Sequence, residues 1–263
     1  MLYFPQLLTG AVGQYPIHKR RLSRTVVNES EGGARFKLAD PDAAAVEWIL
    51  NFQTMSDNER DSLTQLFNGI EGRLGDFTFL DPTDNLFCWS EKLDEPVWER
   101  NSLVTITAGV DDPDGELNAN RVSNGGAGSL GIQQTVNGPG WFLYAFSVQA
   151  RSDQEQELTL VRSTATQSQS SVFSVGSDWK RVLLSGKFNG SEPAVTFGIE
   201  IAAGRSVDLY AIQVEAQPGA SGYKKTFSNC GVYPAARFLD DALEVIAEGP
   251  NQHSCRVRIR ARG

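Results

Sequence analysis

A tryptophan followed at strand-like spacing by polar side chains is the first feature of this sequence with a chemical use. Trp141, Gln149 and Arg151 alternate with the apolar residues of segment 142–150, so a strand would place them on one face. Glu200 holds a polar position in a second alternating segment. An aromatic ring beside groups that form paired hydrogen bonds is typical of saccharide recognition. We predict a saccharide site at these four residues; the alternative is that Trp141 covers a sandwich edge and the polar side chains are solvated.

Near the C-terminal end, arginines alternate with apolar residues, and a strand would place all the guanidinium groups on one face. These arginines are Arg256, Arg258, Arg260 and Arg262. We predict that they pair with carboxylates such as Glu244 and Glu248 across a hairpin, or with an adjacent subunit, because the guanidinium fork suits bidentate pairing. The alternative is contact with a nucleic acid.

Composition and motifs argue against several classes of site. The 24 Lys and Arg against 32 Asp and Glu give a net charge of −8, which disfavours a phosphate-binding surface and specific nucleic-acid binding. Neither His18 nor His253 lies near a recognisable nucleophile motif, and the sequence has no complete phosphate loop. We therefore predict no catalytic residues, no metal and no cofactor. The alternatives are a glycosidase with paired carboxylates and a structural cation held by Glu91, Asp208 or Glu215.

The cysteines and the first residues of the sequence indicate the cellular compartment in which the protein folds. Cys88, Cys230 and Cys255 are odd in number and far apart, so we predict small buried apolar residues and no disulfide framework. No apolar run reaches the length of a membrane span, and the first residues lack the pattern of a signal peptide. We expect no membrane partner and folding in a cytoplasm.

The elements that must position these residues are mainly strands. Segment 46–52 alternates apolar and polar residues, which predicts a strand with one apolar face. Ser56 and Glu59 form a capping box, and apolar residues follow at helical spacing, so a helix should bury Leu66 and Phe67 and end near residues 69–72. Segment 75–82 then predicts a returning strand that ends at an Asp-Pro pair.

The remaining segments complete the predicted β architecture. Residues 98–227 contain short alternating segments separated by Gly, Asp, Asn and Ser turns, which is typical of a sandwich or jelly roll. Segments 242–248 and 255–262 flank a Gly-Pro turn and predict a hairpin. A lone hairpin is marginally stable in water, so this one needs another sheet to pack on.

Two groups of motifs carry family resemblances. The first group resembles the N-terminal domain of distal tail proteins of long-tailed bacteriophages, and it comprises Trp48, Leu50, Ser56-Asp-Asn-Glu59, Leu66-Phe67, Glu71-Gly-Arg-Leu74, Phe77-Thr-Phe-Leu-Asp-Pro82 and Asp84. The second group is similar to carbohydrate-binding jelly rolls, and it comprises Asn85-Leu86, Trp89-Ser-Glu91, Trp98, Tyr144, Phe146-Ser-Val148, Trp179-Lys-Arg-Val182, Gln213-Val-Glu215, Ala220-Ser-Gly-Tyr223 and Thr226. By the same resemblance, Trp98 and Trp179 are expected to pack in the core.

The resemblances imply a mainly β protein in which a split β-sandwich or barrel domain with one helix, residues 1–84 and 228–263, carries an inserted jelly roll, residues 85–227. They also imply a homo-oligomeric ring, commonly a hexamer, that joins the tail tube to the host-facing tip of a virion tail assembled in the bacterial cytoplasm. Its expected partners are other tail proteins and a host cell-surface glycan. The alternative is a tail-fibre or adhesin subunit whose main role is saccharide binding.

Overall fold

The computed structural model describes residues 2–263, which form two compact units. The first, which we call the split unit, comprises residues 2–8, Gly13–Phe79 and Tyr233–Gly263. The second, which we call the inserted unit, comprises Thr9–Val12 and Leu80–Val232. Both units are built mainly of strands, which confirms the predicted fold class.

The split unit contains a single long helix and one six-stranded sheet. Its elements are β1 (His18–Glu29), β2 (Arg35–Met55), α1 (Asp57–Gly69), β3 (Phe77–Leu80), β14 (Val232–Phe238), β15 (Val245–Gly249) and β16 (Gln252–Arg262). The sheet order is β1-β2-β16-β14-β3, and β15 also pairs with β16. The predicted terminal hairpin is therefore β15 and β16, and its second strand pairs with β2 in antiparallel register.

The core of the split unit lies where the sheet curls on itself. Trp48 on β2 is fully buried, and its ring centroid lies 4.9 Å from that of Phe79 on β3. Three strand spacings of about 4.8 Å separate these strands in the sheet order, so a contact this short indicates strong curvature. Phe4 packs against both Phe77 and Phe79 inside the curve.

The helix begins and ends as its sequence predicts. The Glu59 amide donates to Ser56 Oγ at 3.3 Å and the Ser56 amide donates to the Glu59 carboxylate at 2.8 Å, which completes the capping box. The apolar stripe buries Leu63 and Leu66. Phe67, which we expected to be buried with Leu66, is only half-buried and rests its ring 5.2 Å from that of Phe238. The reason is that Phe67 lies at the margin of the stripe rather than at its centre.

The distal parts of β1 and β2 form a two-stranded projection, residues 23–40, which we call the arm. Within the arm every side chain is exposed except that of Asp40. Val26 lies opposite Leu38, and Phe36 follows on the same face. Phe36 is 62% exposed and Leu38 is 60% exposed. The arm therefore presents an apolar surface that nothing in its own unit covers.

The inserted unit consists of two five-stranded antiparallel sheets. Its strands are β4 (Glu99–Arg100), β5 (Val104–Val110), β6 (Ala119–Asn124), β7 (Leu130–Val136), β8 (Tyr144–Arg151), β9 (Gln156–Ser163), β10 (Ser168–Val175), β11 (Lys180–Gly186), β12 (Val195–Ile201) and β13 (Ser206–Glu215). One sheet has the order β10-β9-β12-β7-β4, and we call it the β12 sheet. The other has the order β11-β8-β13-β6-β5, and we call it the β8 sheet.

Aromatic rings join the two sheets into a sandwich. Phe197 on β12 is fully buried, and its ring lies 5.5 Å from that of Phe146 on β8 and 5.6 Å from that of Tyr144. Phe87 packs edge-on against both Phe146 and Phe197. This centre holds the unit together, and the outer face of each sheet points away from it.

Segments next to the predicted boundaries belong to the inserted unit. The Asp81 amide donates to the Gly231 carbonyl at 2.8 Å, and the Gly231 amide donates to the Asn85 carbonyl at 2.7 Å. The main segment of this unit therefore runs from Leu80 to Val232, whereas the sequence predicted residues 85–227. These long-range backbone bonds leave no trace in local periodicity.

The prediction that the cysteines are separate buried thiols is wrong for two of them. Cys88 and Cys230 form a disulfide across 142 residues of sequence, and Cys255 is a buried free thiol. The backbone bonds between residues 81–85 and 231 bring the two cysteines together, which their sequence spacing does not reveal. Within residues 2–263, no helix is long and apolar enough to cross a membrane.

Candidate functional site

The outer face of the β12 sheet carries a groove of about 360 Å³ across its central strands. Its lining residues include Glu99, Asn101, Ser129, Gly131, Gln133, Val161, Ser163, Thr196, Gly198 and Glu200. Most of these side chains end in hydroxyl, amide or carboxylate groups. We call this feature the glycine groove because two of its floor positions are glycine.

Gly198 keeps the centre of the groove open. It lies in the middle of β12, the central strand, between Gln133 of β7 and Val161 of β9. A Cβ atom added at Gly198 would come no closer than 3.6 Å to any neighbour, so packing inside the sheet does not require a glycine there. A glycine in a strand interior weakens the strand and often marks close approach by a ligand or another backbone. The fold itself therefore does not need the glycine at position 198, whereas it does need the one at position 131, where a Cβ atom would lie 1.7 Å from the Ile199 carbonyl oxygen.

Polar groups form cross-strand pairs on either side of this floor. The Gln133 amide donates to the Glu99 carboxylate at 3.0 Å. The hydroxyl oxygens of Thr135 and Thr196 lie 2.8 Å apart. These pairs hold amide, carboxylate and hydroxyl groups at the surface, where they can both donate to and accept from a ligand rich in hydroxyl groups.

The four residues predicted to form one saccharide site do not lie together. Glu200 is on β12 and lines the glycine groove, whereas Gln149 and Arg151 are on β8 in the other sheet. The prediction that Glu200 neighbours them is therefore wrong. Alternation in the sequence correctly predicted which side chains face outward from each strand. It could not predict which sheet each strand joins.

Trp141 is also separate from Gln149 and Arg151. It lies in the turn before β8, which begins only at Tyr144, and it is 42% exposed. Arg151 is at the far end of this eight-residue strand, about 25 Å away along the chain direction. The ring of Trp141 packs edge-on against Phe142 at 6.1 Å.

Arg151 is held by a buried carboxylate. Its Nε donates to Asp208 at 3.1 Å, and Arg121 also donates to Asp208, at 2.6 and 3.1 Å. Asp208 is only 1% exposed, and its hydrogen bonds raise the pKa of Arg121, with burial opposing them. Gln149 lies on the same face, between Arg181 of β11 and Tyr210 of β13. The outer face of β8 thus uses its charged groups mainly to hold the sheet.

Two tryptophans expected in the core have different positions. Trp98 is 2% exposed and its Nε1 donates to the Trp89 carbonyl at 3.0 Å, which confirms the expectation. Trp179 is only partly buried, and the guanidinium of Arg151 lies 4.8 Å from its ring centroid. The expectation is wrong for Trp179 because this ring packs beside Arg151 and Tyr210 on the β8 sheet.

The C-terminal arginines find carboxylates, but not the predicted ones. Along β16 they alternate with buried residues, as the sequence indicates, and Arg256 lies opposite Asn51. Arg258 pairs with Asp240, Arg260 lies 3.7 Å from Glu47, and Arg262 pairs with Asp42. Glu244 and Glu248 do not supply these pairs, and Glu248 instead accepts from Ser254 at 2.6 Å. The reason is that the stripe faces β2 and the loop after β14, which supply nearer carboxylates.

The three carboxylates considered for a structural cation lie in separate ion pairs. Glu91 pairs with Lys225, Asp208 pairs with arginines, and Glu215 lies 2.6 Å from Lys224 Nζ. No group of three or more His, Cys, Asp or Glu side chains within residues 2–263 is placed to hold a metal ion.

Sequence reasoning missed the glycine groove except for Glu200. The available signal was Gly198, a glycine inside the alternating pattern of Val195, Phe197, Ile199 and Ile201. The tertiary structure adds Gln133, Glu99 and Ser163 from other strands, and nothing in the sequence groups these residues.

No family model and no curated protein matches the sequence. Solved structures similar to this chain include a phage tailspike domain and carbohydrate-binding modules. The enzymatically active domain of tailspike protein 4 of bacteriophage CBA120 is 14% identical with a TM-score of 0.42, and the match covers 52% of this chain and 22% of that domain.

Two carbohydrate-binding modules have comparable scores. The CBM22-1 xylan-binding domain from Paenibacillus barcinonensis Xyn10C is 11% identical with a TM-score of 0.42, and the match covers 54% of this chain and 99% of that domain. The family 11 module of the Clostridium thermocellum cellulase Lic26A-Cel5E is 11% identical with a TM-score of 0.35, and the match covers 55% of this chain and 96% of that module.

Proposed function

We propose that this chain is a structural subunit of a bacteriophage tail or tail-like particle. Copies of the split unit would join into a ring, commonly a hexamer in the family it resembles, between the tail tube and the host-facing tip. The inserted unit would contact host saccharide. We assign the chain no catalytic activity, place it in the virion tail with assembly in the bacterial cytoplasm, and expect tube and tip proteins as its other partners.

The observation that carries the assembly role is the arm. A two-stranded hairpin without a third layer is marginally stable in water, yet the arm holds Phe36 and Leu38 more than half exposed. Covering these side chains removes apolar area from water and so favours association. A repeated contact between copies would provide that cover at every position of a closed ring.

The mass of the full chain in solution tests the ring. We expect an oligomer, and we expect the double change Phe36→Ser and Leu38→Ser to give a monomer whose unfolding free energy differs by less than about 0.5 kcal/mol, because both residues are exposed. Leu74→Ser is the matched control, since Leu74 is 76% exposed in the same unit but lies outside the arm. A monomeric wild-type chain, or equal dissociation by the control, would contradict the assembly role.

The saccharide role of the inserted unit is supported by the glycine groove. Gly198→Val should fill its floor while favouring the strand, because β-branched residues suit strand interiors. We expect this variant to lose glycan binding on an array and to keep its unfolding midpoint. Ser170→Val is the control, because Ser170 is exposed on the same face of β10 beyond the groove. Binding that survives Gly198→Val would exclude the groove as the site.

The second candidate function is a tail-fibre or adhesin subunit whose main role is saccharide capture, and the groove is the observation that favours it. The two functions differ in symmetry and in where the affinity lies. An adhesin should be a trimer with glycan affinity concentrated in the inserted unit, whereas a ring subunit should stay oligomeric without any sugar. Native mass measurement with and without glycan separates them.

A further inference from the structure

A second cavity of the inserted unit lies away from the glycine groove, beside strands β5 and β6. It encloses about 220 Å³ and shares no lining residue with the groove. Its lining residues include Glu91, Lys92, Leu117, Asn120, Lys225 and Phe227. We call it the Phe227 pocket.

The floor of this pocket contains a buried acceptor without a partner. Asn120 is 2% exposed, and its Nδ2 donates to the Glu91 carbonyl at 2.9 Å. Because that carbonyl can only accept, the amide orientation is fixed and Oδ1 must face the other way. Oδ1 has no hydrogen-bond partner among residues 2–263. This oxygen is enclosed by the protein, so the polar groups that a ligand in the pocket can reach are those at its rim.

The wall of the pocket is an aromatic ring that is exposed but rigidly held. Phe227 is 54% exposed, and its carbonyl accepts from the Trp89 amide at 2.8 Å. The neighbouring Thr226 is buried and donates to the Phe87 carbonyl at 2.6 Å. Trp89 has a left-handed backbone with φ of 54°, a conformation that persists only where surrounding bonds enforce it. These bonds fix the backbone that presents the Phe227 ring at the surface.

Charged groups at the rim complete the pocket. Lys92 Nζ lies 5.2 Å from the Trp89 ring centroid, and Lys225 Nζ lies 5.5 Å from that of Phe227. Lys225 also pairs with Glu91. Two ammonium groups can donate and one carboxylate can accept, all within reach of the same aromatic wall.

We propose that the Phe227 pocket binds the terminal pyranose ring of a glycan. The ring's C–H face would lie on Phe227 and Leu117, and its hydroxyl groups would bond Lys92, Lys225 and Glu91. A pocket of about 220 Å³ with one aromatic wall and mixed donors and acceptors at its rim matches a single polar ring in size, whereas a peptide strand or helix needs a sheet edge or a longer apolar groove. The proposal deepens the saccharide role proposed above, but the pocket and the groove fail separately.

The test uses the full-length chain and methyl glycosides of glucose, galactose, mannose, N-acetylglucosamine and rhamnose as probes. We expect at least one probe to bind in calorimetry and to shift the side-chain amide resonances of Asn120. Phe227→Ala should weaken that binding at least tenfold. Leu183→Ala is the matched control, because Leu183 is 41% exposed on β11 and lies outside both cavities.

A second variant and three possible results decide whether the Phe227 pocket binds a sugar. Leu117→Ala provides a second variant, since Leu117 is 67% exposed and its truncation should leave folding intact. The pocket is overturned if no probe binds at millimolar concentration, or if binding is unchanged in both Phe227→Ala and Leu117→Ala. Loss of binding in Gly198→Val alone would place the sugar in the groove, which supports the proposed function and rejects the pocket. Loss in the pocket variants alone supports the pocket, and the groove is then decided by the glycan-array test of Gly198→Val.

Discussion

The two units bury their apolar residues in different ways. The inserted unit closes two sheets on each other around Phe146 and Phe197 and ties its two ends with a disulfide. The split unit curls a single sheet around its core and leaves Phe36 and Leu38 on the arm each more than half exposed. The difference teaches that the inserted unit packs each of its sheets against another layer, whereas the split unit carries a two-stranded arm whose apolar side chains have no layer to pack on.

The largest effect should come from removing the strand that completes the split unit. Deleting residues 237–263 removes β15 and β16, and β16 lies between β2 and β14 in the sheet. We expect the split unit to unfold and residues 86–227 to keep a cooperative transition in calorimetry, because the inserted unit uses none of the deleted strands. Two transitions surviving the deletion would contradict the division into units.

The next largest effect should come from truncating one buried phenylalanine in the core of each unit. Phe197→Ala should lower the unfolding free energy of the inserted unit by about 3–5 kcal/mol, because it empties a fully buried site between the sheets. Phe79→Ala is the matched change in the split unit, where Phe79 is also fully buried. Each variant should shift only its own transition in denaturant unfolding. A single shared transition would show that the units fold as one.

A smaller effect is expected from the disulfide. Replacing Cys88 and Cys230 together by Ala should destabilise the inserted unit by about 2–4 kcal/mol and leave the split unit unchanged. Thiol titration in denaturant should find one free thiol before reduction and three after it. Burial raises the pKa of Cys255 to about 11, so in the folded protein this thiol should react slowly at pH 8. Three free thiols before reduction would show that the bond is absent.

The smallest effect is the pH dependence of one surface pair. The hydrogen bond from Arg258 lowers the pKa of Asp240, while partial burial opposes that shift. A carboxyl whose pKa is lower in the folded state stabilises the fold above its unfolded pKa of about 3.9, and the contribution is lost as pH falls through the folded pKa. Arg258→Gln should return the Asp240 pKa towards its ordinary value.

Carbon NMR titration of the Asp240 carboxyl measures that return. The change in stability should stay below about 1 kcal/mol, because both partners are solvent-exposed. It should appear only in the split unit. An unchanged Asp240 pKa in the variant would mean that Arg258 is not its partner in solution.

Local patterns in the sequence predicted local structure well. Alternation at Val46, Trp48, Leu50 and Phe52 predicts β2, and the capping box predicts the start of α1 at the observed residue. The arginine stripe on β16 also follows from alternation. These features depend on residues within one or two turns or on a strand period of two, so the interactions that decide them are encoded nearby.

The candidate sites were decided by the tertiary structure. The sequence by itself determined that Glu200 and Gln149 face outward from strands, but strand order put them on different sheets. It likewise contained Asn120 and Phe227 without any sign that they share a pocket. Side-chain alternation specifies which face of a strand is buried, whereas the neighbours of that strand depend on the packing of the whole core. The sequence therefore identified single residues with polar or aromatic side chains, and only the tertiary structure grouped them into candidate sites.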